Sequence, residues 1–119
     1  VVTVAAQEAI EEILAVDELD GIYVGPSDLG LAMGIGPSAW PHRELVNAVG
    51  HVLGAARRCG KYAGIFVCSI EMSQVVSALG YHQVTPGNDT HLVRAAAADR
   101  TSGVRNAPRQ HEHSATVKF

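Results

Sequence analysis

The run Asp20-Gly21-Ile22-Tyr23-Val24-Gly25-Pro26-Ser27-Asp28-Leu29 holds the residues best spaced for chemistry. Gly21 to Gly25 reads as a short buried strand, and Pro26, which has no N–H to give a sheet ladder, ends it. Gly25 and Pro26 set a sharp turn. The amides of Ser27 and Asp28 are then placed to face the crevice at the strand's carboxyl end, where they can hold a carboxylate. Asp28 also offers a hard oxygen suited to Mg²⁺ or Mn²⁺. A plainer reading needs no ligand: Asp28 as the cap of a short helix over Leu29–Met33.

Such a turn works only if flanking elements hold it. Val1-Val2-Thr3-Val4 is β-branched and predicts a buried strand. Gln7 to Val16 predicts a helix, with Ile10, Ile13 and Leu14 on one face. Gly25 to Pro41 is rich in glycine and proline and reads as a long loop with a helical turn near Leu29–Met33, long enough to be functional. A helix over Pro41–Cys59 follows, carrying Leu45, Val49, Val52, Leu53 and Ala56 at helical spacing and stopped by Gly60. Tyr62 to Cys68 predicts a third strand. Ser69 caps a helix with Met72, Val75, Val76 and Leu79 as its core face, and Gly80 ends it. Tyr81–Thr85 is a weaker fourth strand, and Asp89 or Thr90 opens a last helix. Alternating strands and helices imply an α/β fold with parallel pairing and right-handed crossovers. Ligands in such folds sit at strand carboxyl ends, so the loops from Ala5, Gly25, Cys68 and Pro86 are the ones to watch.

Composition narrows the partners. The chain has 119 residues, about one domain, with a formal net charge of −3. That balance gives no electrostatic case for nucleic acid or an anionic membrane. No apolar run approaches the roughly 20 residues of a membrane helix, and no secretory leader pattern is visible. Cys59 and Cys68 are too few for a disulfide framework; they read as buried thiols of a cytoplasmic protein. A strand at the very start suggests a piece of something longer. Residues 99–119 lack an apolar period and read as a polar, flexible tail, in which His111 and His113 are a solvated pair rather than a metal site. Gly30, Gly34 and Gly36 are not followed by Gly-Lys-Ser/Thr and do not make a phosphate loop. Arg57, Arg58 and Lys61 read as the charged end of a helix, with a phosphate or CoA contact as the lesser alternative.

The chain resembles the HpcH/HpaI aldolases. Gln7-Glu8-Ala9, the Asp20–Leu29 run, Gly34, Gly60-Lys61, Gly64-Ile65 and Gly87-Asn88-Asp89 fall in that family's order and spacing, over roughly residues 1–98. The resemblance implies the C-terminal portion of a (β/α)₈ TIM barrel, a fold that takes about 250 residues. It implies a metal-dependent lyase that makes or breaks a C–C bond through a pyruvate enolate, converting a 4-hydroxy-2-oxo acid to pyruvate and an aldehyde. The cofactor would be Mg²⁺ or Mn²⁺, with Co²⁺ as an option, and the protein a homo-oligomer. By resemblance, Asp28 is one of two metal-binding carboxylates, Ser27 and Asp28 offer amides to the pyruvate carboxylate, and Phe66 is an apolar pocket residue.

Three departures stand against this. The family's other metal-binding carboxylate is a Glu at a strand end, followed by Thr and a helix start; that position reads Ala5 here. The serine that follows Asp-Leu in the family is Gly30. The family's general-base His and enolate-stabilising Arg belong to the N-terminal half of the barrel, and no histidine here matches that His. Two alternatives follow: a non-catalytic truncated barrel fragment acting only in assembly, or a lyase of acyl-CoA thioesters.

Overall fold

A computed structural model describes residues 1–106. Residues 107–119, with His111 and His113, lie outside the described residues. The chain divides into two compact units, Val1–Gly87 and a second from Asn88.

The first unit is a three-stranded parallel sheet with helices between its strands. Its strands are Gly21–Val24 (β1), Tyr62–Val67 (β2) and Gln83–Pro86 (β3), in the order β1-β2-β3. Its helices are Val4–Glu8 (α1), Ile10–Leu14 (α2), Pro26–Ala32 (α3), Arg43–Arg58 (α4) and Ile70–Leu79 (α5). Val24 stands opposite Ile65, and Phe66 opposite Thr85. Because side chains alternate along a strand, this register separates two faces. Val24, Ala63, Ile65 and Val67 lie in the buried core with Leu29, Leu45, Val49, Val52 and Val76. Gly21, Tyr23, Tyr62, Gly64, Phe66, Gln83 and Thr85 take the other face, where Tyr23 and Tyr62 are 41% and 67% exposed. One face of the sheet is therefore dry and the other open.

The predicted strand over Val1–Val4 is not formed. Thr3 adopts an extended conformation and its Oγ1 accepts the Ala6 N–H at 3.1 Å, which starts α1 at Val4. The N-capping hydroxyl outweighs the β preference of the valines. Only Val1 pairs with the sheet: its ammonium donates to Tyr23 O, and its own carbonyl accepts from Gly25 N at 3.1 Å. That is the two-bond pattern of a parallel pair, with Val1 opposite Val24. The helix expected over Gln7–Val16 starts earlier, breaks at Ala9 and ends at Leu14. Ala5 therefore lies within a helix, not at the head of a loop.

Other boundaries moved for similar reasons. Pro26 occupies the first turn of α3, so that helix starts three residues before Leu29. His42 caps α4 by accepting from Glu44 N, which leaves Pro41 outside. Ser69 caps α5 as expected, accepting from Met72 N at 3.1 Å, and Gly80 closes it at φ +96°. On α5 only Met72 and Val76 are buried; Val75 and Leu79, expected in the core, are 45% and 39% exposed. Cys59 and Cys68 are exposed rather than buried.

In the second unit, Asp89–Arg105 forms one helix (α6). Its cap is Asn88, whose Oδ1 accepts from His91 N at 2.9 Å, in place of Asp89 or Thr90. The helix continues past residue 98, where the apolar period fades, and none of its described side chains is buried. Among the described residues no helix is long and apolar enough to cross a membrane.

Candidate functional site

The turn after β1 is built from backbone upward. Gly25, extended at φ −104°, is the N-cap of α3, and Pro26 fills the next position. The first intrahelical bond runs from Leu29 N to Gly25 O at 2.9 Å. The amides of Ser27 and Asp28 precede it and have no acceptor within the helix. Asp28 is in the third helical position and is not the cap, which removes the plainer reading of this residue. Its carboxylate is exposed, while Ser27 is half-buried. The register places Gly25 level with Phe66 at the carboxyl end of the sheet, and Phe66 is half-buried on its open face. Ser27, Asp28 and Phe66 thus come to one end of the sheet.

Gly25 is closely flanked. A β-carbon added there would lie 3.0 Å from Val2 Cγ1 and 3.3 Å from Asp28 Oδ2. The side chain that shares the space above Gly25 with Asp28 is therefore Val2, next to Val1, which pairs with β1. Thr3 follows Val2, and α1 starts directly after Thr3. A strand end followed by Thr and a helix start is the local pattern that the resemblance assigns to the second metal-binding carboxylate. The structure fits Val2 to that pattern, and Ala5, exposed on α1, does not fit it.

A resident divalent cation fits this turn poorly. Asp28 supplies one carboxylate, and the group across Gly25 is a hydrocarbon. Among the described residues no group of three or more His, Cys, Asp or Glu could hold a metal ion. Mg²⁺ is usually held by one or two carboxylates with water completing its shell; of the two carboxylates the resemblance implies, the described side chains offer one here.

Gly30, the other departure, has a steric cause. Its carbonyl accepts from Ile35 N and Gly36 N at 3.0 and 3.1 Å. A β-carbon on Gly30 would meet Gly36 O at 2.5 Å. The loop returns so close that no side chain fits.

The basic residues in the last turn of α4 and just beyond it are structural. Arg57 Nη2 donates to Leu79 O at 2.6 Å, at the carboxyl end of α5. Lys61 Nζ donates to Val16 O and Asp17 O, both at 3.2 Å, and Arg58 pairs with Glu11. These contacts disperse the three cations over separate elements instead of gathering them around a phosphate. A concavity over the open face, bordered by Gly21, Tyr23, Tyr62, Gly64 and His82, lies toward the amino ends of the strands, away from Asp28. Within it, His82 Nδ1 accepts from Ala63 N at 3.1 Å, which leaves that nitrogen engaged with the backbone.

A parallel sheet, helical crossovers and a Gly-Pro turn at a strand's carboxyl end fit a segment of an α/β barrel. The chain matches the family model of the HpcH/HpaI aldolase/citrate lyase family over residues 3–96, and it belongs to that family. It is 40% identical over 89 residues to a hydroxypyruvate/pyruvate aldolase of Rhizorhabdus wittichii, covering 74% of this chain and 36% of the relative. It is 32% identical over 107 residues to a 2-keto-3-deoxy-L-rhamnonate aldolase of Escherichia coli, covering 87% of this chain and 40% of the relative. A crystal structure of an HpcH/HpaI aldolase/citrate lyase family protein from Burkholderia cenocepacia superposes with a TM-score of 0.83 at 26% identity, covering 88% of this chain and 40% of that one. The chain thus spans about two fifths of the length of these relatives, in keeping with a partial barrel.

Proposed function

We propose that this chain is the substrate-anchoring segment of an aldolase or carbon–carbon lyase acting on a small 2-oxo acid such as pyruvate. The observation that carries the reading is the turn after β1, where the amides of Ser27 and Asp28 stand ahead of the first intrahelical bond. Two backbone N–H groups side by side at a helix start suit a carboxylate. Phe66, level with Gly25, gives the substrate's carbon chain an apolar wall. Family membership and the two aldolase relatives support the substrate class.

In this reading the chain's own residues bind and orient. Ser27 and Asp28 fix the carboxylate, and Phe66 limits access of water to the neighbouring carbons. No proton transfer is assigned to a described residue. The base, the cationic stabiliser of the enolate and the remaining sheet lie outside these 119 residues. The open, tyrosine-bearing sheet face suits a covering partner surface and a homo-oligomer, and the cytoplasm is the fitting compartment.

The position of Val2 favours a second reading, in which the segment binds without turning over. Two measurements separate them: pyruvate binding by this chain, by calorimetry, and pyruvate release from a 4-hydroxy-2-oxo acid with Mn²⁺ when the chain is joined to the N-terminal part of a relative's barrel. Anchoring predicts a dissociation constant on the order of millimolar. Binding without release supports the second reading, release supports the first, and no binding at tens of millimolar overturns both.

A further inference from the structure

We infer that the chain lacks a divalent-metal centre at Asp28 because of one residue, Val2, and that Val2→Glu would create one. The inference rests on the proposed site only for its location; it concerns metal binding, which is measured independently of pyruvate.

Three observations carry it. Val2 Cγ1 and Asp28 Oδ2 flank the same point above Gly25, at 3.0 and 3.3 Å. A longer side chain at residue 2 therefore starts from beside the Asp28 carboxylate. Val2 is 44% exposed, so a carboxylate there keeps access to water and need not be buried. Its backbone is held on both sides: Val1 pairs opposite Val24, and Thr3 caps α1. A ligand at residue 2 would be positioned by structure already present, as a metal site requires. No atom of Ala5 lies within 4 Å of that point above Gly25. This residue lies on α1 beyond the cap, so a carboxylate at residue 5 would begin from the helix rather than from the strand end.

The chemistry of the inference is simple coordination. Two carboxylates flanking one glycine offer at least two hard oxygens, and water completes the shell of Mn²⁺ or Mg²⁺. One carboxylate alone, exposed to solvent, gives only weak association.

The test is Mn²⁺ binding by the 119-residue chain, followed through the loss of the free-ion electron paramagnetic resonance signal. The wild type is compared with Val2→Glu, Ala5→Glu, Asp28→Asn and Val2→Glu/Asp28→Asn. Circular dichroism accompanies each, and Val2→Asp replaces Val2→Glu should the latter not fold. The expected result has three parts. Asp28→Asn leaves wild-type affinity within about twofold; Val2→Glu tightens it at least about tenfold, and the double variant loses that gain; Ala5→Glu behaves as wild type. The inference is overturned if Asp28→Asn weakens the wild type about tenfold, since the centre would then already exist. A gain in Ala5→Glu without one in Val2→Glu overturns it equally, as does a folded residue-2 carboxylate that gains nothing. Pyruvate titration of the same samples reports on the anchoring turn separately.

Discussion

Val2 Cγ1 and Asp28 Oδ2 both lie within 3.3 Å of the point a β-carbon on Gly25 would occupy. Gly25 has φ −104°, which any residue can adopt. Its role here is space rather than backbone freedom. Gly25→Ala should therefore fold, with a loss of about 1 kcal/mol as Val2 and Asp28 give way. Urea denaturation measures the loss; a cost above about 3 kcal/mol would show that the turn cannot relax.

Gly30→Ser restores the serine of the family pattern and is expected to harm this chain. Its β-carbon would sit 2.5 Å from a backbone oxygen, that of Gly36, which cannot swing aside as a side chain can. The expected loss is about 1–3 kcal/mol, read as a lower denaturation midpoint with an unchanged slope.

Arg57→Ala should cost more than Arg58→Ala. Arg57 donates to the carbonyls of Leu79 and Gly80 at 2.6 and 3.4 Å, closing the carboxyl end of α5. A charged donor to otherwise unmet carbonyls contributes about 1–2 kcal/mol at an exposed site. Arg58 makes an exposed pair with Glu11, and such pairs contribute about 0–1 kcal/mol. Equal losses from the two variants would contradict the assignment.

Tyr81 sets an alkaline limit. Its hydroxyl is buried and donates to Val49 O at 2.9 Å, and burial raises its pKa well above the ordinary phenol value of 10.0. Unfolding lets the phenol ionise, so the stability it lends is complete below about pH 10 and falls as pH rises beyond that. Tyr81→Phe should lose about 1 kcal/mol at neutral pH through the missing hydrogen bond, and should show a shallower decline above pH 10. Parallel curves for both proteins would refute this.

Much of the fold was legible because its signals are local. The stripe Leu45–Val49–Val52–Leu53–Ala56 defined α4, and Ser69 and Gly80 bracketed α5 through cap chemistry that needs no tertiary context. The misreadings came where two local rules competed. Val1–Val4 has strand composition, yet the Thr3 hydroxyl captured the Ala6 amide and turned the chain into a helix. Pro26 could end a strand or start a helix, and it does both. Val75 and Leu79 have core spacing but point away from the described core, and periodicity alone does not say which neighbours an element has.

The site was legible in part. The Gly-Pro-Ser-Asp turn stood out because each of its residues has a distinct backbone or ligand chemistry. The residue that shares Gly25's flank with Asp28 did not, because counting back from the turn across a helix of uncertain start cannot bring residues 2 and 28 to the same glycine. With the start of α1 assigned from Thr3, the pattern of strand end, threonine and helix shifts from Ala5 to Val2.

Amide hydrogen exchange at Ser27 and Asp28, with and without millimolar pyruvate or oxalate, reports on carboxylate anchoring at the turn itself. Both amides should slow in the presence of ligand while those at the amino ends of β1 and β2 stay unchanged. Exchange at Ser27 and Asp28 that ignores the ligand would contradict it.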